Sequence, residues 1–145
     1  MKTIGDILTG RAPVTLTPGV TVLEAVQRMQ AERVGAILVV DPKGKLVGCF
    51  TERDLMTRVL LADSDPKEVT LRDTMTTELF TASPDDRINV VASEMQARHI
   101  RHLPVQRDGE LLGMLSLRDI LREHLDLKRD EVRALTSYIQ GEGEA

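Results

Sequence analysis

Gly48-Cys49-Phe50-Thr51-Glu52-Arg53-Asp54 returns 65 residues later as Gly113-Met114-Leu115-Ser116-Leu117-Arg118-Asp119. Both stretches read Gly-x-x-(Ser/Thr)-x-Arg-Asp. A duplicated unit of this size packs against its own copy, so the cleft between copies is the first place to look for function. Outward from the motif, an offset of 66 pairs Thr15 with Thr81, Pro18 with Pro84 and Val39 with Val105. The same offset pairs Met29-Gln30-Ala31 with Met95-Gln96-Ala97. From Gly44 and Gly109 onward the offset is 65. The one-residue gap falls in Asp41-Pro42-Lys43-Gly44, which reads as a tight turn. Turns absorb length changes that strands do not.

Each repeat has the same order of elements. A short helix (residues 4–8 and 71–75) precedes an extended segment that ends near Pro18 or Pro84. An amphipathic helix follows, with Val22, Val26, Met29 and Arg33 on one face in the first repeat and Ile88, Ala92 and Met95 in the second. Two strands (36–40 with 46–50; 102–106 with 111–115) flank a glycine turn as a hairpin. A last helix covers 52–61 and 117–124. The predicted fold class is α/β (α+β): two β-α-β-β-α repeats packed with pseudo-twofold symmetry, small sheets with helices on one side. The predicted organisation is residues 1–61, a polar linker at 62–70, residues 71–125, and a C-terminal amphipathic helix with a frayed tail at 126–145.

Composition narrows the function. Hydrophobic residues make up 41% of the chain but aromatics only 2%, so aliphatic side chains fill the core. Net charge is −4, which argues against general nucleic-acid binding. No run approaches about 18 apolar residues, and the first residues lack a signal-peptide core, so the expected compartment is the cytoplasm, without membrane insertion. Cys49 is the single cysteine; in its apolar run it reads as a buried small hydrophobe. His99, His102 and His124 lack metal-ligand spacing, and no Ser or Cys has a matched base. Neither catalytic residues nor a metal are expected.

The motif supports two readings. Thr51-x-x-Asp54 and Ser116-x-x-Asp119 both fit a helix capping box, which needs no ligand. The same strand-to-helix turn presents free amides and the positive end of a helix dipole, where phosphate binds. A Thr or Ser hydroxyl adds a donor, and an Asp one turn on accepts both hydroxyls of a ribose.

The whole layout resembles a tandem pair of CBS (cystathionine-β-synthase) domains, a Bateman module, of the stand-alone bacterial kind. The resemblance rests on Val69-Thr70-Leu71-Arg72-Asp73-Thr74-Met75-Thr76, on His99-Ile100-Arg101-His102-Leu103-Pro104-Val105 and on both glycine motifs. It implies a regulatory module, not an enzyme. Such modules bind AMP, ADP or ATP, in some members S-adenosylmethionine or an NAD-like ligand, and signal to a protein partner in trans; no cofactor is required. The ribose-binding Asp maps onto Asp54 and Asp119, the phosphate-contacting hydroxyl onto Thr51 and Ser116. The resemblance also implies composite sites. Thr15, Thr17 and Ala36 would complete the Asp119 site. Thr81, Ala82, Arg101, His102, Leu103 and Pro104 would complete the Asp54 site.

The copies differ where Arg101-His102 replaces Gly35-Ala36. Arg suits phosphate through its fork of donors, and His102 can add charge near neutral pH. Arg53 and Arg118 either reach a phosphate or sit solvated beside Glu52 or Asp119. Val132, Leu135 and Ile139 share a helical face, which suits packing on the module or a homodimer contact. The alternative function is a dimeric interaction scaffold with empty clefts.

Overall fold

The computed structural model describes residues 2–139, so the frayed tail expected at the C-terminus lies outside the described residues. The chain runs α1 (Ile4–Ile7), β1 (Thr15–Leu16), α2 (Val22–Glu32), β2 (Ala36–Val40), β3 (Leu46–Thr51) and α3 (Glu52–Asp54). α3 passes directly into a π-helical segment, Leu55–Leu60. The second half runs α4 (Leu71–Thr74), α5 (Ile88–Ala97), β4 (His102–Arg107), β5 (Glu110–Ser116) and α6 (Leu117–Ile139). No helix among the described residues is long and apolar enough to cross a membrane.

The unbroken apolar run of β2 explains how the halves meet. Side chains alternate across a strand, so a run apolar at every position must be covered on both faces. Ile37 and Val39 pack with Val22, Ala25 and Met29 of α2. Ala36 and Leu38 point the other way, with Cys49, onto Leu111 and Met114 of β5. One face of the β1-β2-β3 sheet therefore carries helices, and the other meets the two-stranded β4-β5 sheet. The β2-β3 ladder shifts register between Val39 and Val40, and the β4-β5 ladder at the equivalent Val105 and Gln106. The second shift lets Leu111 and Met114, an odd number of residues apart, face the same way.

The short helices are exchanged between the halves. α1 opens the first repeat, yet Ile4 sits in the core of the second, among Ile88, Met95 and Leu103. Ile4 and Gly5 donate their amides to the carbonyls of Asp86 and Pro84. α4 mirrors this: Leu71 packs with Val22, Val39 and Phe50, and its amide reaches the Val20 carbonyl. Both side chains are fully buried, and each such burial stabilises by about 1.5–3 kcal/mol. Residues 62–70, expected as a linker, are pinned in part: Val22 and Leu23 donate to Val69 and Pro66.

Two further details differ from the sequence reading. The first strand of the second repeat shrinks to a single parallel bridge between Ala82 and Val105. In the first repeat the Leu38 amide donates to the Val14 carbonyl. Pro104 occupies the equivalent position and has no amide hydrogen, so the parallel ladder cannot extend there. The second detail is that α6 runs 23 residues without a break, so the last helix of the repeat and the expected separate C-terminal helix are one. Its distal half leaves Val132, Leu135, Tyr138 and Ile139 exposed.

Candidate functional site

Both glycine motifs form the capping boxes that their spacing predicts, but in unlike surroundings. In the first, the Asp54 amide donates to Thr51 Oγ1 at 3.3 Å. Asp54 Oδ2 accepts from the Thr51 amide at 2.9 Å and from the Thr51 hydroxyl at 3.2 Å. Asp54 Oδ1 accepts from the Thr76 hydroxyl at 3.0 Å and faces Arg58 Nε at 3.6 Å. Asp54 is only 6% exposed. In the second, the Asp119 amide donates to Ser116 Oγ at 3.1 Å, and the Ser116 amide donates to Asp119 Oδ2 at 3.2 Å. Asp119 is exposed.

A cleft of about 650 Å³ opens beside the first box. That volume suits a small-molecule ligand. The first repeat contributes Thr51, Arg53 and Asp54, and the second contributes Arg101, His102 and Pro104. Six of the expected site residues therefore come together across the repeat boundary. Thr81, Ala82 and Leu103 do not line this cleft. Thr81 Oγ1 accepts from Gln106 Nε2, while Ala82 and Leu103 are buried in the second core. The wall expected from Thr81 and Ala82 is built one step earlier in the chain, from Thr76, Glu78, Leu79 and Phe80. Thr76 closes the quoted Val69-to-Thr76 stretch, and that stretch was the available signal.

The second cleft, of about 630 Å³, is more open to solvent. Ser116 and Arg118 line it with Leu117, Leu121 and Arg122 of α6. Thr15, Thr17 and Ala36 do not reach it: Thr15 is in β1, Thr17 is exposed, and Ala36 is fully buried between the sheets. Asp119 is not among its lining residues either. Arg101 and His102 line both clefts, so one strand edge forms a wall of each.

The electrostatics of the first cleft are mixed. Glu52 and Glu78 stand with Asp54 against Arg53 and Arg101. Burial pushes the His102 imidazole below its usual value; Glu52 opposes this and Arg101 adds to it. The burial of His102 therefore disfavours the charge expected of it near neutral pH. Burial, and then the charge of Asp54, pushes the Cys49 thiol up to about 12, in keeping with a small hydrophobe. The assembled groups can accept hydroxyls at a carboxylate and offer guanidinium donors to an anion.

The His102 shift has a measurable consequence. The native pKa lies below the unfolded value, so the stability associated with the neutral imidazole is complete above 6.5 and falls as pH drops through it. Wild type is expected to lose more stability than His102→Gln between about pH 7 and about pH 5. Urea unfolding at both pH values checks this, and parallel profiles would contradict it.

A family model described as CBS domain matches the chain twice, over residues 4–61 and 68–126. The chain belongs to the CBS domain family. The CBS pair is 35% identical over 125 residues to the mitochondrial CBS domain-containing protein CBSX3 of Arabidopsis thaliana. That match covers 83% of this chain and 61% of the relative, so the CBS pair spans about three-fifths of the relative's length. The crystal structure of CBS domain NE2398 matches with a TM-score of 0.81 at 31% identity, covering 86% of this chain and 99% of that one. The CBS domain pair of MJ0100, in complex with 5′-methylthioadenosine and S-adenosyl-L-methionine, matches with a TM-score of 0.75 at 28% identity. That comparison covers 86% of this chain and 96% of that one.

Proposed function

We propose that this CBS pair is a regulatory module that binds an adenosine ligand in the cleft beside Asp54 and signals to a protein partner in trans. One observation carries the reading. The cleft brings Thr51 and Asp54 of one repeat against Arg101, His102 and Pro104 of the other. A ribose diol suits the carboxylate, and an anionic or zwitterionic tail suits the guanidinium groups of Arg53 and Arg101. The MJ0100 pair, a relative crystallised with two adenosine ligands, supports the ligand class. AMP, ADP, ATP and S-adenosylmethionine are the candidates. Because the cleft is walled by both repeats, a ligand that binds one relative arrangement better shifts the population toward it. Nothing in this mechanism calls for catalysis or a metal.

Calorimetric titration with AMP, ATP and S-adenosylmethionine tests the reading. Wild type is expected to bind at least one of them, and Asp54→Ala to lose that binding while Asp119→Ala keeps it. A wild type that binds none sinks the sensor reading for these ligands.

A second reading is a ligand-free interaction module, and the exposed apolar face of α6 favours it. Leu125, Val132, Leu135 and Ile139 recur at heptad spacing along that face. We propose that this stripe carries a homodimer contact under either reading. The scaffold alone would give a stable dimer in sedimentation with no melting shift on adding ligand.

A further inference from the structure

The Asp54 carboxylate is occupied from within the protein. A carboxylate offers about four lone-pair positions. Two on Oδ2 are taken by the Thr51 amide and hydroxyl. Oδ1 holds the Thr76 hydroxyl at 3.0 Å and faces Arg58 at 3.6 Å. Three positions are thus hydrogen-bonded and Arg58 faces the fourth, so with Asp54 6% exposed an incoming diol, which needs two, is not accommodated unless a protein donor leaves. The Thr51 contacts belong to the capping box and hold the helix start. Arg58 is half exposed, and such an ion pair is weak. The Thr76 hydroxyl is the group in the way.

Thr76 is presented firmly. Its amide and carbonyl both bond Cys49, each at 2.9 Å. The preceding Met75 lies over Gly48, where an added Cβ would come 2.5 Å from the Met75 sulfur and 3.2 Å from the Thr76 carbonyl oxygen, so a side chain there would force Met75 to move. Arg58 also donates to the Met75 carbonyl at 2.9 Å. The Thr76 segment then continues into Glu78, Leu79 and Phe80 of the cleft wall.

We propose that Thr76 is an internal competitor for the ligand: its hydroxyl mimics a ribose hydroxyl on Asp54 Oδ1 and must be displaced when a diol binds. This rests on the adenosine reading above and adds an affinity-setting residue to it. Displacement loosens Thr76 from Asp54 and so couples occupancy to the segment that crosses between the repeats. Asp119 has no such lock: it is exposed and accepts from the Ser116 amide.

The test is calorimetry with AMP and 2′-deoxy-AMP on wild type, Thr76→Val, Thr76→Ala and Thr76→Ser. Thr76→Val leaves Oδ1 short of a donor in the free protein, and the ligand restores one. AMP is expected to bind this variant about fivefold tighter than wild type. Thr76→Ser keeps the hydroxyl and should match wild type. The gain should shrink with 2′-deoxy-AMP, which lacks one hydroxyl; a merely looser fold would not discriminate the two. Thr76→Ala decides the question if the valine variant does not fold. If wild type binds AMP and neither Thr76→Val nor Thr76→Ala binds it tighter, the competitor is overturned and the adenosine reading stands. If neither wild type nor any variant binds AMP at about millimolar concentration, the competitor is overturned for AMP, and the adenosine reading falls with it if ATP and S-adenosylmethionine also fail to bind wild type.

Discussion

Asp54→Ala is expected to destabilise the protein by about 2–3 kcal/mol and to abolish ligand binding, whereas Asp119→Ala costs about 0.5–1 kcal/mol. The two aspartates occupy equivalent places in the repeat and differ only in surroundings. Asp54 is buried and accepts three hydrogen bonds, from Thr51 and Thr76. Its loss removes the return half of the capping box and leaves the Thr76 hydroxyl and Thr51 amide unpaired in a part-buried site. Asp119 is exposed, and water replaces it on the Ser116 amide. Urea unfolding measures both losses. Equal losses would mean that the burial of Asp54 does not set its contribution.

Ile4→Ala and Leu71→Ala are each expected to cost about 2–5 kcal/mol. Both side chains are at 0% accessibility, each in the core of the opposite half. The location of the damage is the sharper part of this prediction. Ile4→Ala should lower amide-exchange protection in α5 and β4, next to Ile88, Met95 and Leu103. Leu71→Ala should lower it in α2 and β2, next to Val22 and Val39. Protection lost in α2 and β2 for Ile4→Ala, or in α5 and β4 for Leu71→Ala, would refute the exchange.

The exchange marks where sequence reasoning ends. The short helices at 4–8 and 71–75 were readable, but not what they pack against, because a short helix carries no label for its partner. The hairpins and capping boxes were legible because their signals are local: a glycine turn between alternating strands, and a hydroxyl three residues before an Asp. The consequence of Pro104 was also written locally, as a missing amide hydrogen, but it matters only once Pro104 is known to sit opposite the segment at Ala82. The continuity of α6 was masked by the polar stretch after Leu125, which on a solvent-facing helix breaks nothing.

The candidate site divides the same way. Thr51 and Asp54 were readable from the motif, whereas Arg101, His102 and Pro104 came only with the resemblance to CBS pairs. The part played by Thr76, Glu78 and Phe80 depends on the path of the crossing segment, and no spacing rule reports that path. The inequality of the two aspartates lies in tertiary burial, although the asymmetry of Arg101-His102 against Gly35-Ala36 hinted at it.

The central claim is that the repeated motif makes one ligand site, in the cleft beside Asp54. A crystal structure of the wild-type protein grown with saturating AMP tests it most directly. The expected result is AMP between the repeats, its ribose hydroxyls on Asp54, the Thr76 hydroxyl released and the phosphate toward Arg53 or Arg101. AMP lodged beside Asp119 with the Asp54 cleft empty would contradict the account.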